Sequence, residues 1–150
     1  TLAKLKAAMR LAIEAVSSPT ETFTVRCGLG DFFTLGTDGT NGLFFRYTDL
    51  VNGGRWQAVA RAGGVDLTVV DTGVSPDLDF HIMEVELDED GQEARFSIDG
   101  VVVATINAPA LPGIANAMGG GFQIVKSIGT TQRNMSCDWL KLSAERSAAR

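Results

Sequence analysis

The chain offers little to nucleophilic chemistry. It has one histidine, His81, and two cysteines, Cys27 and Cys137. His81 lies in "FHIMEVELD", where it alternates with Met83 and Val85. That spacing puts it on a strand face beside apolar neighbours, as a packed or hydrogen-bonded structural residue. No G-x-S-x-G elbow is present. A Ser-His-Asp or Cys-His system is not expected. Paired carboxylates are the next candidates for acid-base work. Glu84 and Glu86 share a face, but Val85 points the other way and the run passes into the acidic turn "DEDG". The pair reads as a solvated strand face. Glycine-rich "GLGDFF" and "MGGGF" lack the following helix and Lys-Ser/Thr that a phosphate cradle needs.

These residues must be positioned by a fold of many short strands. The 150 residues suit one domain with a real core, expected to span 1–150 with 1–3 and 144–150 as frayed ends. The chain starts at Thr1 with residues that already look structured, so a trimmed or internal start is expected. Seventeen glycines sit mostly between apolar runs, as turns do. Net charge is −5 with no Lys/Arg cluster, which argues against nucleic-acid binding. No apolar run is long enough to cross a bilayer as a helix, and no membrane partner is expected.

The first run, "AKLKAAMRLAIEAV", is rich in helix formers. Its pattern has period two, however: Leu5, Ala7, Met9, Leu11, Ile13 and Ala15 fall on one side, with Lys4, Lys6, Arg10 and Glu14 on the other. The alternation predicts a long half-buried strand. Further strands are predicted at "TFTVRCGL", "DFFTLG", "LFFRYTD", "RWQAVARAGG", "DLTVVDTGV", "FHIMEVELD", "EARFSID", "VVVATI", "FQIVKSIG" and "RNMSCDWLKLSAE". Gly63-Gly64 and Asp99-Gly100 are hairpin turns. The inward set is Met9, Leu11, Ile13, Phe23, Val25, Phe45, Val59, Met83, Val85, Phe96, Ile98, Ile124 and Leu140. The cysteines sit inside strand-like runs, and whether they pair stays open. The fold class is all-β, an antiparallel sandwich.

The order of these runs carries a resemblance. Trp56, Asp71-Thr72-Gly73-Val74, Gly91, Phe96-Ser97-Ile98-Asp99-Gly100 and Asp138 recur as in the concanavalin A-like jelly roll of laminin-G-like form. Phe122, Ile124, Lys126-Ser127, Gly129 and Thr130-Thr131 resemble a version found in structural proteins of tailed bacteriophages. The resemblance implies a non-enzymatic virion structural protein on the particle surface, as a capsid decoration or a fibre or spike component. Its partners would be other virion proteins and itself, as a dimer or trimer. The loop 107–121 would make the assembly contact through Pro109, Leu111, Pro112, Ile114 and Met118.

Within the resemblance, glycan binding is the alternative, with Tyr47 and Trp56 as an aromatic platform and Trp139 as a further candidate. A glycoside hydrolase relative is the remaining option. The family's Glu-x-Asp-x-x-Glu strand is not reproduced at "MEVELDED", so no catalytic residue is assigned. Domains of this kind also hold calcium on loop oxygens, and Asp38, Asn41, Asp77, Asp79, Asp88 and Asp90 lie in suitable loops. Asp and Asn are equally ordinary turn residues. No ligand set is named and no cofactor is expected.

Overall fold

The computed structural model describes residues 3–31, 36–113 and 118–146. The alternating runs form ten strands: β1 (Ala3–Ile13), β2 (Phe23–Gly30), β3 (Gly42–Thr48), β4 (Gln57–Ala62), β5 (Val65–Asp71), β6 (His81–Leu87), β7 (Glu93–Ile98), β8 (Val101–Asn107), β9 (Gly119–Lys126) and β10 (Met135–Arg146). They make two five-stranded antiparallel sheets, ordered β10-β1-β6-β7-β8 and β5-β4-β3-β2-β9. The molecule is an all-β sandwich. One short 3-10 turn at Val51–Gly54 is the helical content among the described residues. Part of the run "DFFTLG", residues 32–35, lies outside the described residues.

The first run is a strand, against its helix propensity. β1 pairs with β10 on one side and β6 on the other. Ala7, Met9, Leu11 and Ile13 are buried on its inner face. A helix could not present that period-two stripe to the opposing sheet, so tertiary packing decides. β10 continues to Arg146, opposite Ala3, so the expected frayed end at 144–146 is paired backbone.

The two sheets meet in an aromatic cluster. Phe45 of β3 stands edge-on to Phe96 of β7, with ring centroids 5.4 Å apart, and edge-on to Trp56 at 6.5 Å. Tyr47 packs on Trp56 at 5.5 Å and on Phe23 at 6.0 Å. Each large side chain removed from water here contributes ~1.5–3 kcal/mol. The β7–β8 hairpin turns at Asp99 (φ 50°) and Gly100 (φ 80°), the left-handed pair that a primed turn needs.

Several expectations need correction. Val59 is fully buried, but with Phe44 it forms a separate small cluster outside the main core. Leu140, paired with the inward Met9, is 41% exposed because β10 is an edge strand. Leu111 and Pro112 of the loop after β8 are buried in the chain itself, and Leu111 joins the main core. Met118 packs against that core, Pro109 is exposed, and Ile114 lies outside the described residues. Cys27 and Cys137 are both free; Cys27 is buried in β2, and burial pushes its thiol far up.

A candidate substrate face across five strands

Every strand of the β2 sheet except β5 is apolar in sequence apart from one or two long polar residues. "TVRCGLG" has Arg26, "FFRYT" has Arg46, "QAVARA" has Gln57 and Arg61, and "FQIVK" has Gln123 and Lys126. The register sets four of these side by side. Arg26 lies opposite Gln123 and Arg46, Arg46 lies opposite Gln57, and Gln57 lies opposite Asp71 of β5. One polar row therefore crosses the whole outer face: Gln123, Arg26, Arg46, Gln57, Asp71. The neighbouring row is bare or apolar: Gly121, Gly28, Phe44, Val59, Val69. Gly28 has φ 146°, and a Cβ there would come 2.6 Å from the Leu43 carbonyl oxygen, so no side chain fits.

The arginines are tied to carboxylates. Arg26 Nε donates to Asp38 Oδ1, and Arg26 Nη1 donates to Gln123 Oε1 at 3.2 Å. Arg46 donates to Gln57 Oε1 at 3.1 Å and to Asp66 Oδ2 at 3.0 Å, and it also holds Asp38 Oδ2. Arg61 takes the other oxygen of Asp66. Burial pushes the Asp38 carboxyl up, but the two guanidinium groups outweigh it and hold the group below its ordinary range. At the end of the row, Asp71 is held well below the carboxylate range by Arg55, with the Gly73 N–H and Asn52 adding to it. A planar guanidinium matches a carboxylate in a two-point fork. Three arginines along one sheet face suit a chain of negatively charged units.

The residues singled out earlier lie elsewhere. Tyr47 and Trp56 are buried in the core, and the Tyr47 hydroxyl accepts the Ser17 N–H at 2.9 Å, so they form no glycan platform. Glu84 and Glu86 share the outer face of the other sheet, paired with Lys6 and Lys4. His81 is on that sheet too, between Asp77 and Asp99. Of the six loop residues with calcium-type oxygens, Asp38 is bound to arginines, Asp77 accepts from His81 and Asp88 accepts the Gln92 N–H. No group of three or more His, Cys, Asp or Glu side chains is arranged to hold a metal among the described residues. The "KSIGTT" motif is a local lock: the Glu21 carboxylate receives Lys126 and the Thr131 hydroxyl and backbone N–H. The arginine row was missed because each arginine reads as one polar residue of a half-buried strand. Only the register joins them.

No protein-family model matches the chain, and no curated protein matches it. Solved structures do. Alginate lyase AlgAT5 of polysaccharide lyase family 7 superposes with a TM-score of 0.52 and 10% identity over 96% of this chain and 60% of that one. An alginate lyase from Pseudomonas aeruginosa superposes with a TM-score of 0.55 and 16% identity over 95% of this chain and 65% of that one. The chain thus spans under two thirds of the length of either. The non-enzymatic virion reading is corrected by these matches: both structures are alginate lyases, and no link to a phage particle accompanies them. At this identity the likeness establishes one thing: the chain has the jelly-roll sandwich fold of these enzymes.

Proposed function

We propose that this chain is the sandwich of a polysaccharide-degrading enzyme that takes an acidic polysaccharide along the outer face of the β2 sheet. The observation that supports the reading is the unbroken row Gln123, Arg26, Arg46, Gln57, in the fold shared with two alginate lyases. Elimination at a uronate unit removes the proton beside the carboxylate. The electron pair forms a double bond to the next ring carbon, the glycosidic C–O bond breaks there, and the leaving oxygen takes up a proton. The first step needs the uronate carboxylate neutralised, because charge flows into it. Arg46, with Gln57 as a hydrogen-bonding neighbour, supplies that neutralisation.

The proton acceptor cannot be an aromatic hydroxyl or an imidazole on this face. The chain has one tyrosine and one histidine. Tyr47 is in the core and His81 is on the other sheet. Asp71, at the end of the row, is held by Arg55 and Asn52, and the carboxylates in contact with Arg46 are Asp38 and Asp66. While Asp38 shares Arg26 and Arg46 it is a weak base. A uronate carboxylate that takes over Arg46 removes one of those cations and strengthens Asp38 as a base where the proton leaves.

The test is incubation of the purified protein with alginate and other uronate polymers, following the ultraviolet absorbance of the unsaturated product and the number of new reducing ends. Product from at least one uronate polymer is expected, with Arg46→Ala slower by about 10²-fold or more. Neither unsaturated product nor new reducing ends from any uronate polymer would overturn the reading.

A further inference from the structure

The opposite sheet carries a second set of features. Its outer face holds a groove of about 450 Å³ between β10, β1 and β6. Trp139 lines it and is 39% exposed, whereas Trp56 is buried. Register explains the shape. In one cross-strand row Ala8 stands between Lys141 and Glu84; in the next Lys6 stands between Ser143 and Glu86. The Ala8 methyl leaves a notch where every neighbouring position carries a longer side chain. Three lysines (Lys4, Lys6, Lys141) and three glutamates (Glu84, Glu86, Glu145) line the groove, so its charges balance. Lys6 pairs with Glu84 at 2.6 Å and Lys4 with Glu86 at 3.0 Å. Lys141 has no carboxylate partner among the described residues.

We propose that this groove is a second saccharide-binding site, one that grips a polysaccharide strand without cutting it. The inference rests on the reading that the protein acts on a polysaccharide. A pyranose ring has an apolar C–H face and a rim of hydroxyls that both donate and accept. The face stacks on the exposed Trp139 indole over the Ala8 notch. The rim meets a lining of donors and acceptors: Lys6, Glu84, Ser143 and Lys141. A balanced lining suits hydroxyls better than a row of like charges, which distinguishes this groove from the arginine face. The two sites lie on the outer faces of opposite sheets, so one polymer network can be held on one side while another strand occupies the other.

The test is electrophoresis of the whole chain in native gels cast with sodium alginate and, in parallel, with a neutral glucan. Trp139→Ala should weaken retardation by roughly 3- to 10-fold, the equivalent of one aromatic stacking contact. Trp139→Phe should restore most of it, and Lys141→Glu should weaken it without touching the indole. Circular dichroism confirms that each variant is folded. Wild-type retardation in Trp139→Ala and Lys141→Glu overturns the proposal, as does a wild-type protein that neither polymer retards. Absence of unsaturated product together with Trp139-dependent retardation overturns the enzymatic reading alone and leaves the groove standing.

Discussion

His81 Nδ1 lies 2.6 Å from Asp99 Oδ2, and the other ring nitrogen lies 2.7 Å from Asp77 Oδ1. Ionised carboxylates only accept, so both contacts are hydrogen bonds when both ring nitrogens carry hydrogen, and the arrangement favours the charged imidazolium. Burial pulls the His81 pKa down, but the bonds to Asp99 and Asp77 and their charges outweigh it, and the net shift is upward. Asp99 also accepts the Ile82 N–H at 2.8 Å. The histidine therefore ties the 74–80 loop to the β7–β8 turn.

The linkage sign follows from the raised pKa. The contribution is complete below the unfolded value of about 6.5 and is lost as pH rises through the higher folded value. Melting temperature should fall over that window in the wild type and stay flatter in His81→Gln. Equal pH profiles for the two proteins would show that the histidine contributes no stability.

Asp38 gives a second prediction. Its carboxylate holds Arg26 and Arg46, all three side chains being mostly buried. Asp38→Asn leaves two guanidinium groups with weaker partners and should cost about 1–3 kcal/mol by urea denaturation. It should also abolish product formation while binding of uronate oligomers persists, since the arginines remain. Turnover at the wild-type rate would remove Asp38 from the chemistry and leave Asp66 as the acceptor.

The fold was legible because its signals are local. Period-two alternation marked β1 against its helix formers, and Asp99-Gly100 marked a turn that has φ > 0 at both positions. The site was not legible, because Arg26, Arg46, Gln57 and Gln123 come from four strands spread over most of the sequence. Their adjacency exists only in the sheet register. Trp56 shows the same limit: offered with Tyr47 as a glycan platform, it is placed inside by the packing of Phe45 and Tyr47. The virion reading rested on "KSIGTT", which the structure explains through Glu21 as a local lock.

That lock predicts a third outcome. Gly129 has φ 92°, and a Cβ there would come 2.4 Å from Glu21 Oε2. Gly129→Ala should lower stability by more than about 1 kcal/mol. Hydrogen bonding to Lys126, opposed by burial and assisted by Thr131, holds the Glu21 pKa at about 2 against an ordinary 4.5. A depressed carboxylate contributes stability above its unfolded pKa and loses it as pH falls through the folded one. Glu21→Gln should therefore differ most from the wild type at neutral pH, and the gap should close between about pH 4.5 and 2. A gap that widens on acidification would contradict the lock.

The fourth prediction concerns the loop once read as an assembly contact. Leu111 is buried in its own chain and packs with the main core, so it is not available to a partner. Leu111→Asp places a charge among apolar neighbours. It should destabilise the monomer by at least the ~2–5 kcal/mol typical of truncating a buried leucine, with a matching fall in the urea midpoint. Leu140→Asp is the control. Leu140 belongs to the edge strand β10 and is 41% exposed, so its carboxylate can reach water. Its cost should be well under that of Leu111→Asp. If Leu111→Asp instead left the urea midpoint unchanged and altered only the state of association, the burial of this loop against its own core would be wrong.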